Sequence, residues 1–407
     1  MASKTSAVVH DFSPTFSPLF PALVALGIGL RLVLAFNTIG TNDMVNWEKF
    51  ARAIAESGLL NLYAADPDFN HPPIMGLGVL LLVKIADLIG APFYAVFKGI
   101  VVLGDCASIL LLFRMWRRRG STTVAWQVAA LYSLSLLSIL VSGYHGNTDS
   151  LYGFGALLAL SLFEQRKMLL SGLTLAAALN VKLIPVVLVI PFVLSHTGWR
   201  ELFRWSWGFA LGLLPFAVVT ALSSAPFIQN VFLYKPFPEN WGLIFFLRLM
   251  RANNPEYAPV LGACLDTFIR FGRYLTLGLI FALTVFNRRS RRLDLAQLLA
   301  VSAALFLIFA SGFGLQYFAL LVTLAFAAEP RWGFRLSAVT GVSALLTYGY
   351  FLVSLSPALS IHNSSAPKGV AFVFTITWLI IIFFAGDLLF VRKSLDRRGK
   401  TPEADVS

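Results

Sequence analysis

The sequence predicts an all-α fold: a polytopic helical membrane protein of about ten to twelve transmembrane helices, with an amphipathic first outer loop. Three observations predict it. Hydrophobic residues make up 57% of the chain and charged residues 13%, where a soluble domain carries about a quarter charged. The apolar residues gather in runs suited to a bilayer core, which takes roughly 20 helical residues per crossing. The net charge of +12 falls in short basic clusters between those runs: Arg114 to Arg119, Arg166 with Lys167, Arg200 with Arg204, Arg288 to Arg292, Arg331 with Arg335, and 392–400. That is the positive-inside pattern, so the implied partner of the charge is anionic membrane lipid and not nucleic acid. Residues 1–391 form a single membrane domain, and residues 392–407, charged and aperiodic, form a disordered cytoplasmic tail.

Taken in order, the run 19–36 has neither a charged region before it nor a small-residue cleavage site after it, so it is a retained first span and not a signal peptide. Residues 38–73 form the outer loop. In it Asp43, Glu48, Lys49, Arg52 and Glu56 interleave with Trp47, Phe50, Leu59, Leu60 and Tyr63 at helical spacing, which predicts a lid lying on the membrane surface. Residues 74–90 are short for a span and carry Lys84 and Asp87; they read as an interfacial or partial helix, with 93–113 making the crossing. Residues 168–195 are too long for one span and too short for two. With Lys182, Pro185 and Pro191 they read as two half-length helices meeting near Lys182, a break tolerated where it lines a cavity. A rival topology makes both segments full hairpins and puts His145 to Asp149 inside, against the charge pattern. Spans near 263–286, 295–311, 315–328, 336–355 and 370–390 complete the bundle. With the clusters in the cytoplasm, the loop 38–73 and the segments 144–150, 225–241 and 357–368 emerge on the outer face. Cys106 and Cys264 sit in or beside apolar runs and read as buried thiols.

Several polar groups invite a chemical reading. Asp43 follows Thr41-Asn42 at a helix start, either as an N-cap or as a free carboxylate at the water boundary. His71-Pro72-Pro73 is a rigid return to the bilayer that fixes a histidine there. The turn containing Tyr144, His145, Asn147 and Asp149 is either an Asx-type loop or a polar site between two apolar runs. Lys182, flanked by apolar residues, either snorkels or serves a functional anion, with Asp149 or a lipid phosphate as its partner. Trp241 closes a proline-rich outer segment, as an interfacial anchor or a sugar contact. Arg248 and Arg251 follow on the same side, and Gln316-Tyr317 opens a later span. No histidine and carboxylate cluster has metal spacing, and neither a P-loop nor a dinucleotide fingerprint is present; no metal or other cofactor is expected.

Together these pieces resemble the GT-C superfamily of membrane glycosyltransferases that use polyprenyl-phosphate sugars. The resemblance rests on Asp43 just past the first span, the His71-Pro72-Pro73 loop end, His145-Gly146-Asn147-Thr148-Asp149-Ser150, Asn180-x-Lys182-x-x-Pro185, and Gln316-Tyr317-Phe318. It is closest over 31–191, where it is similar to dolichyl-phosphate-glucose glucosyltransferases; the last motif is also similar to glycolipid-anchor mannosyltransferases and bacterial relatives. Many of those carry a second acidic residue beside the first, whereas this chain has Asn42-Asp43-Met44. The resemblance implies a hexosyltransferase of the bacterial inner or plasma membrane. Asp43 would be the catalytic base, and Lys182, His71, Arg248 and Arg251 would hold the donor phosphate. Tyr144, His145, Asn147, Asp149, Trp241, Gln316 and Tyr317 would contact substrate, the acceptor being a lipid, glycan or protein. A non-catalytic lipid-linked-saccharide carrier or flippase is the alternative. A carrier calls for charges along the whole path and for pseudo-symmetric halves, and this chain gathers its polar residues at one face.

Overall fold

The computed structural model describes residues 18–234, 241–312, 314–354 and 368–391. The expected tail 392–407 and the outer segments 235–240 and 357–367 lie outside the described residues. Among those described, every regular element is helical.

Helix α1 (Leu19–Asn37) leads into the loop helices α2 (Asn42–Ser57) and α3 (Leu59–Ala65), then α4 (Pro73–Ile89) and α5 (Phe93–Arg118). The apolar face of α2, with Met44, Trp47, Phe50 and Ile54, packs on α4 and on Phe93 and Phe97 of α5. Helix α4, at 17 residues shorter than the spanning helix α5, serves as a layer under the loop. Inside the spans, Arg31 of α1 is buried and donates from Nε to Asp105 of α5 at 2.6 Å. Asp105 also accepts from Tyr132 (2.8 Å) and Ser142 (3.1 Å) and from Ser138. A buried ion pair is tolerable when its remaining hydrogen-bonding sites are filled in this way. The network ties α1 and α5 to the bent pair α6 (Thr122–Ser133) and α7 (Leu136–Ile139), which continues as a π-turn, Leu140–His145.

Helix α8 (Asp149–Glu164) returns. Its Glu164 end meets the basic clusters: Arg119 bonds Glu164 at 2.7 Å, and Arg166 bonds Glu201 at 3.0 Å. Its Asp149 end adjoins the turn at His145, which contacts the loop 38–73. Arg119 and Arg166 and the His145 turn therefore lie at opposite ends of α8.

The segment after Lys167 is broken as expected. Helix α9 (Met168–Leu179) ends before a break at Asn180–Leu183, a 3₁₀ turn (Ile184–Leu188) follows, and α10 (Val189–Leu194) leads back to the Arg166 face, where His196 lies 4.9 Å from Phe163 of α8. Next come α11 (Trp199–Gly212) and α12 (Leu214–Leu222). A Cβ on Gly172 of α9 would fall 2.1 Å from Trp205 O, and one on Gly208 of α11 would fall 1.9 Å from Leu169 O. Small residues at facing positions let two membrane helices meet backbone to backbone. At the apex Asn180 donates to Gly212 O at 2.8 Å and accepts from Met75 N at 3.2 Å, which fixes the hairpin tip against α11 and α4.

After the short helix α13 (Ser224–Phe227) come α14 (Gly242–Asn253), α15 (Ala258–Ser290), α16 (Leu295–Ile308), α17 (Phe318–Ala328), α18 (Pro330–Ser354) and α19 (Lys368–Gly386). Cys264 of α15, expected to be buried, is exposed, and Cys106 is half-buried. Among the described residues four helices are long and apolar enough to cross a membrane, or six if each bent pair is one span. That is fewer than the apolar runs of the sequence because several of these are half-length helices, among them α9, α16 and the run Leu315–Ala328.

Candidate active site

The site begins where α1 hands over to α2. Thr41 caps α2, its Oγ1 accepting from Asp43 N at 3.4 Å, so the N-cap post that Asp43 might have filled is taken. Thr41 also docks the loop, donating from Oγ1 to His145 O at 3.0 Å. The opposing chain must come close for this. Gly146 has φ +75, and a Cβ there would fall 2.3 Å from Met44 Sδ, so the turn after the π-bulge requires a residue without one.

Asp43 stands in the first turn of α2, where the helix dipole favours a carboxylate. Its Oδ2 lies 2.9 Å from His145 Nε2 and accepts from Asn147 Nδ2 at 2.5 Å. Asn147 is oriented by its own Oδ1, which accepts from Thr148 N at 2.7 Å. On the far side His145 Nδ1 bonds the hydroxyl of Tyr348, buried on α18. Oδ1 of Asp43 has no hydrogen-bond partner among the described residues, and the side chain keeps 38% of its exposure. It lines a recess. Burial pushes the Asp43 carboxyl up, but the His145 hydrogen bond and the nearby groups of His145, Lys182 and His71 outweigh it and hold it at about 2.

Lys182 at the hairpin apex reaches Asp149 Oδ2 at 3.2 Å, and its ammonium lies 4.8 Å from the Tyr317 ring centroid. His71 packs on Trp47 with ring centroids 4.1 Å apart and is fixed by its carbonyl, which accepts from Tyr63 at 2.6 Å. Burial and the charge of Lys182 push His71 down to about 3 against the pull of Asp43. At neutral pH it is an uncharged imidazole.

The structure thus brings together Asp43, His71, Tyr144, His145, Asn147, Lys182 and Tyr317, the ring of Tyr144 lying 5.5 Å from that of Tyr348. Two of the expected substrate contacts are placed otherwise. The Asp149 side chain is wholly enclosed, Oδ1 held by Tyr152 at 2.5 Å and Oδ2 by Lys182, so it backs the lysine. Trp241 is buried, donates to Leu307 O at 2.7 Å and packs on Phe318. Gln316 folds over Gly314 on the turn that carries Tyr317. Arg248 and Arg251 stand on α14, the latter exposed beside Gly262 of α15. Sequence reasoning missed Tyr348, which sits in an apolar run with nothing to mark it. It also missed Arg31, Lys98 and Asp105, although charges inside apolar runs are themselves a signal. Lys98 donates to Thr38 O at 2.6 Å and anchors the end of α1 beneath the site.

The model of Glycosyltransferase family 87 matches residues 69–312. No curated protein matches the chain. The matched stretch includes His71, His145, Asn147, Asp149 and Lys182; Asp43 and Tyr348 lie outside it and join it through His145. With the family model covering more than half of an all-helical membrane chain, the protein belongs to glycosyltransferase family 87, a family of GT-C-type membrane glycosyltransferases.

Proposed function

We propose that this enzyme moves a hexose, mannose or glucose, from a polyprenyl-phosphate donor to a hydroxyl of a lipid, glycan or protein acceptor at the extracytoplasmic face, with Asp43 as general base and inversion at the anomeric carbon. One observation carries the reading: Oδ1 of the Asp43 carboxylate has no hydrogen-bond partner among the described residues and the group lies within electrostatic reach of Lys182 and His71, while His145 and Asn147 hold its other oxygen.

An acceptor hydroxyl is a poor nucleophile until its proton is drawn off in the transition state. Oδ1 takes that proton as the acceptor oxygen bonds the anomeric carbon and the bond from that carbon to the phosphate oxygen breaks. A carboxylate held at about 2 is a weak base, so it works by position, the proton moving only as the new bond forms. The leaving group gains one negative charge on passing from phosphodiester to polyprenyl phosphate. Lys182 and the neutral N–H of His71 offset it, and Asp149 holds the lysine in place. Tyr144, Gln316 and Tyr317 are the groups disposed to contact the sugar, and Arg248 and Arg251 remain candidates for the donor phosphate.

The test is transfer from labelled polyprenyl-phosphate mannose, glucose, arabinose and galactosamine by protein reconstituted in liposomes, with the product anomer assigned by NMR. Inverted product from a hexose donor is expected. Retained configuration, or no turnover with any donor, contradicts the reading.

A further inference from the structure

At the Arg166 face, on the far side of the protein from Asp43, a cavity opens between the α10–α11 turn, the end of α15 and the start of α16. Its volume is about 440 Å³, and it is lined by polar groups from separate elements, His196 and Thr197 on one side and Asn287, Arg288 and Arg291 on the other, over a floor that includes Phe163. It is remote from the catalytic recess. Phe163 lies near one end of α8 and Asp149 at the other, and a helix of that length measures roughly 24 Å.

Two features of this cavity suit an anion. His196 is 6% exposed, and neither ring nitrogen has a hydrogen-bond partner among the described residues. Buried polar atoms left in that state are costly unless a ligand or water meets them. Neither Arg288 nor Arg291 forms an ion pair among the described residues. The nearby carboxylate, Glu201, is already occupied by Arg166 at 3.0 Å and Thr197 at 3.2 Å. The cavity wall therefore holds two exposed guanidinium groups that form no ion pair among the described residues, and a buried histidine whose nitrogens have no partner among them. Burial keeps that imidazole below its ordinary pKa, so at neutral pH it presents one donor and one acceptor.

We propose that this cavity is a phosphate-ester site separate from the catalytic one, in which Arg288 and Arg291 bind the phosphate oxygens and His196 donates one hydrogen bond. The chemistry is that of the headgroup phosphate of an anionic lipid in the leaflet at the basic face, and equally that of a soluble phosphate ester. Phosphate suits these donors because guanidinium forks pair with its oxygens two at a time. A hydroxyl on the same ester, as in a glycerol headgroup, would satisfy the second nitrogen of His196.

The full-length protein in detergent is titrated with phosphatidylglycerol, with phosphatidylcholine of the same acyl chains, and with inorganic phosphate. Binding is read by native mass spectrometry for the lipids and by thermal shift for phosphate. The same is done for His196→Phe and for Arg288→Gln with Arg291→Gln, and retained glycosyl transfer in each variant shows that it is folded. Phosphatidylglycerol should be retained over phosphatidylcholine, and each variant should weaken it by about tenfold, the usual weight of a charge-assisted hydrogen bond. Stabilisation by inorganic phosphate that both variants abolish, without selective retention of phosphatidylglycerol, keeps the site and assigns it to a soluble ester. Equal retention of the two lipids with no phosphate shift, or phosphatidylglycerol retention that both variants leave unchanged, overturns it.

Discussion

Asp43 Oδ2 and His145 Nε2 stand 2.9 Å apart although 102 residues separate them in the chain. One residue begins the loop helix, and the other ends the π-turn leading into α8. Their contact ties the part of the chain outside the family match to the part inside it. Because His145 also bonds Tyr348, the imidazole is held from both sides and the carboxylate is aimed by a chain of buried groups.

Loosening that chain should reduce kcat more than it raises KM, since an orienting group acts mainly in the transition state. His145→Gln is expected to lower kcat by on the order of a hundredfold, toward the lower end of what acid–base catalysis contributes. Tyr348→Phe, which removes one buried hydrogen bond, should lower kcat by about tenfold. Steady-state kinetics with the identified donor provide the check. A Tyr348→Phe enzyme with unchanged kcat would make that hydroxyl a packing group only.

The apex ion pair makes a different prediction. Lys182→Met leaves Asp149 buried with no counter-charge, which typically costs about 3–5 kcal/mol. Pairing it with Asp149→Asn should recover much of the stability and none of the transfer, because the cation proposed to face the leaving phosphate is still missing. Thermal melting and donor kinetics on the two variants separate these effects. Recovery of both together would mean that Lys182 serves only the fold.

Acid stability follows from His71. Its folded pKa, about 3, lies below the unfolded value of roughly 6.5, so between those values the unfolded chain binds more protons. Stability is complete above about pH 6.5 and is lost as the pH falls toward 3. His71→Phe keeps the stack on Trp47 and removes the titration, so its melting temperature should decline less over that interval than the parent's. Parallel slopes in the two proteins would place the acid sensitivity elsewhere. Asp43, held at about 2, adds stability that is present above its unfolded value near 3.9 and is lost only as the pH approaches 2.

Gly146 tests the docking of the loop. Alanine there meets both the positive φ and the contact with Met44, and should destabilise the protein by about 1–2 kcal/mol. Adding Met44→Ala relieves the contact but not the backbone, so stability should return only in part. Full return would leave the φ without consequence.

Much of this was legible in the chain because membrane burial is written in coarse chemistry. The basic clusters gave the opposed faces, and Lys182 with Pro185 and Pro191 marked the broken hairpin, since charge and proline inside an apolar run have few other uses. Asp43, His71, His145 and Lys182 could be named as candidates from their settings. Their assembly could not, because the Asp43 to His145 contact depends on Gly146 and the π-turn, a register change that leaves no periodic trace. Tyr348 was hidden for a related reason: one tyrosine in an apolar helix resembles any other until its hydroxyl finds a partner. The resemblance implied that Asp149 and Trp241 contact substrate; the chain alone also offered Asp149 as the partner of Lys182, and that pairing is what the structure shows, with Asp149 further held by Tyr152 and Trp241 bonded to the Leu307 carbonyl.

The most direct measurement is transfer of a labelled hexose from polyprenyl phosphate by Asp43→Asn beside the parent enzyme, both reconstituted in liposomes. Asparagine keeps the size of the side chain and can still accept from a donor at its carbonyl oxygen, but it takes no proton. A fall in kcat on the order of a thousandfold, with the KM for the donor within a few-fold of the parent, is the predicted result. An Asp43→Asn enzyme turning over at the parent rate would contradict the role assigned to this carboxylate.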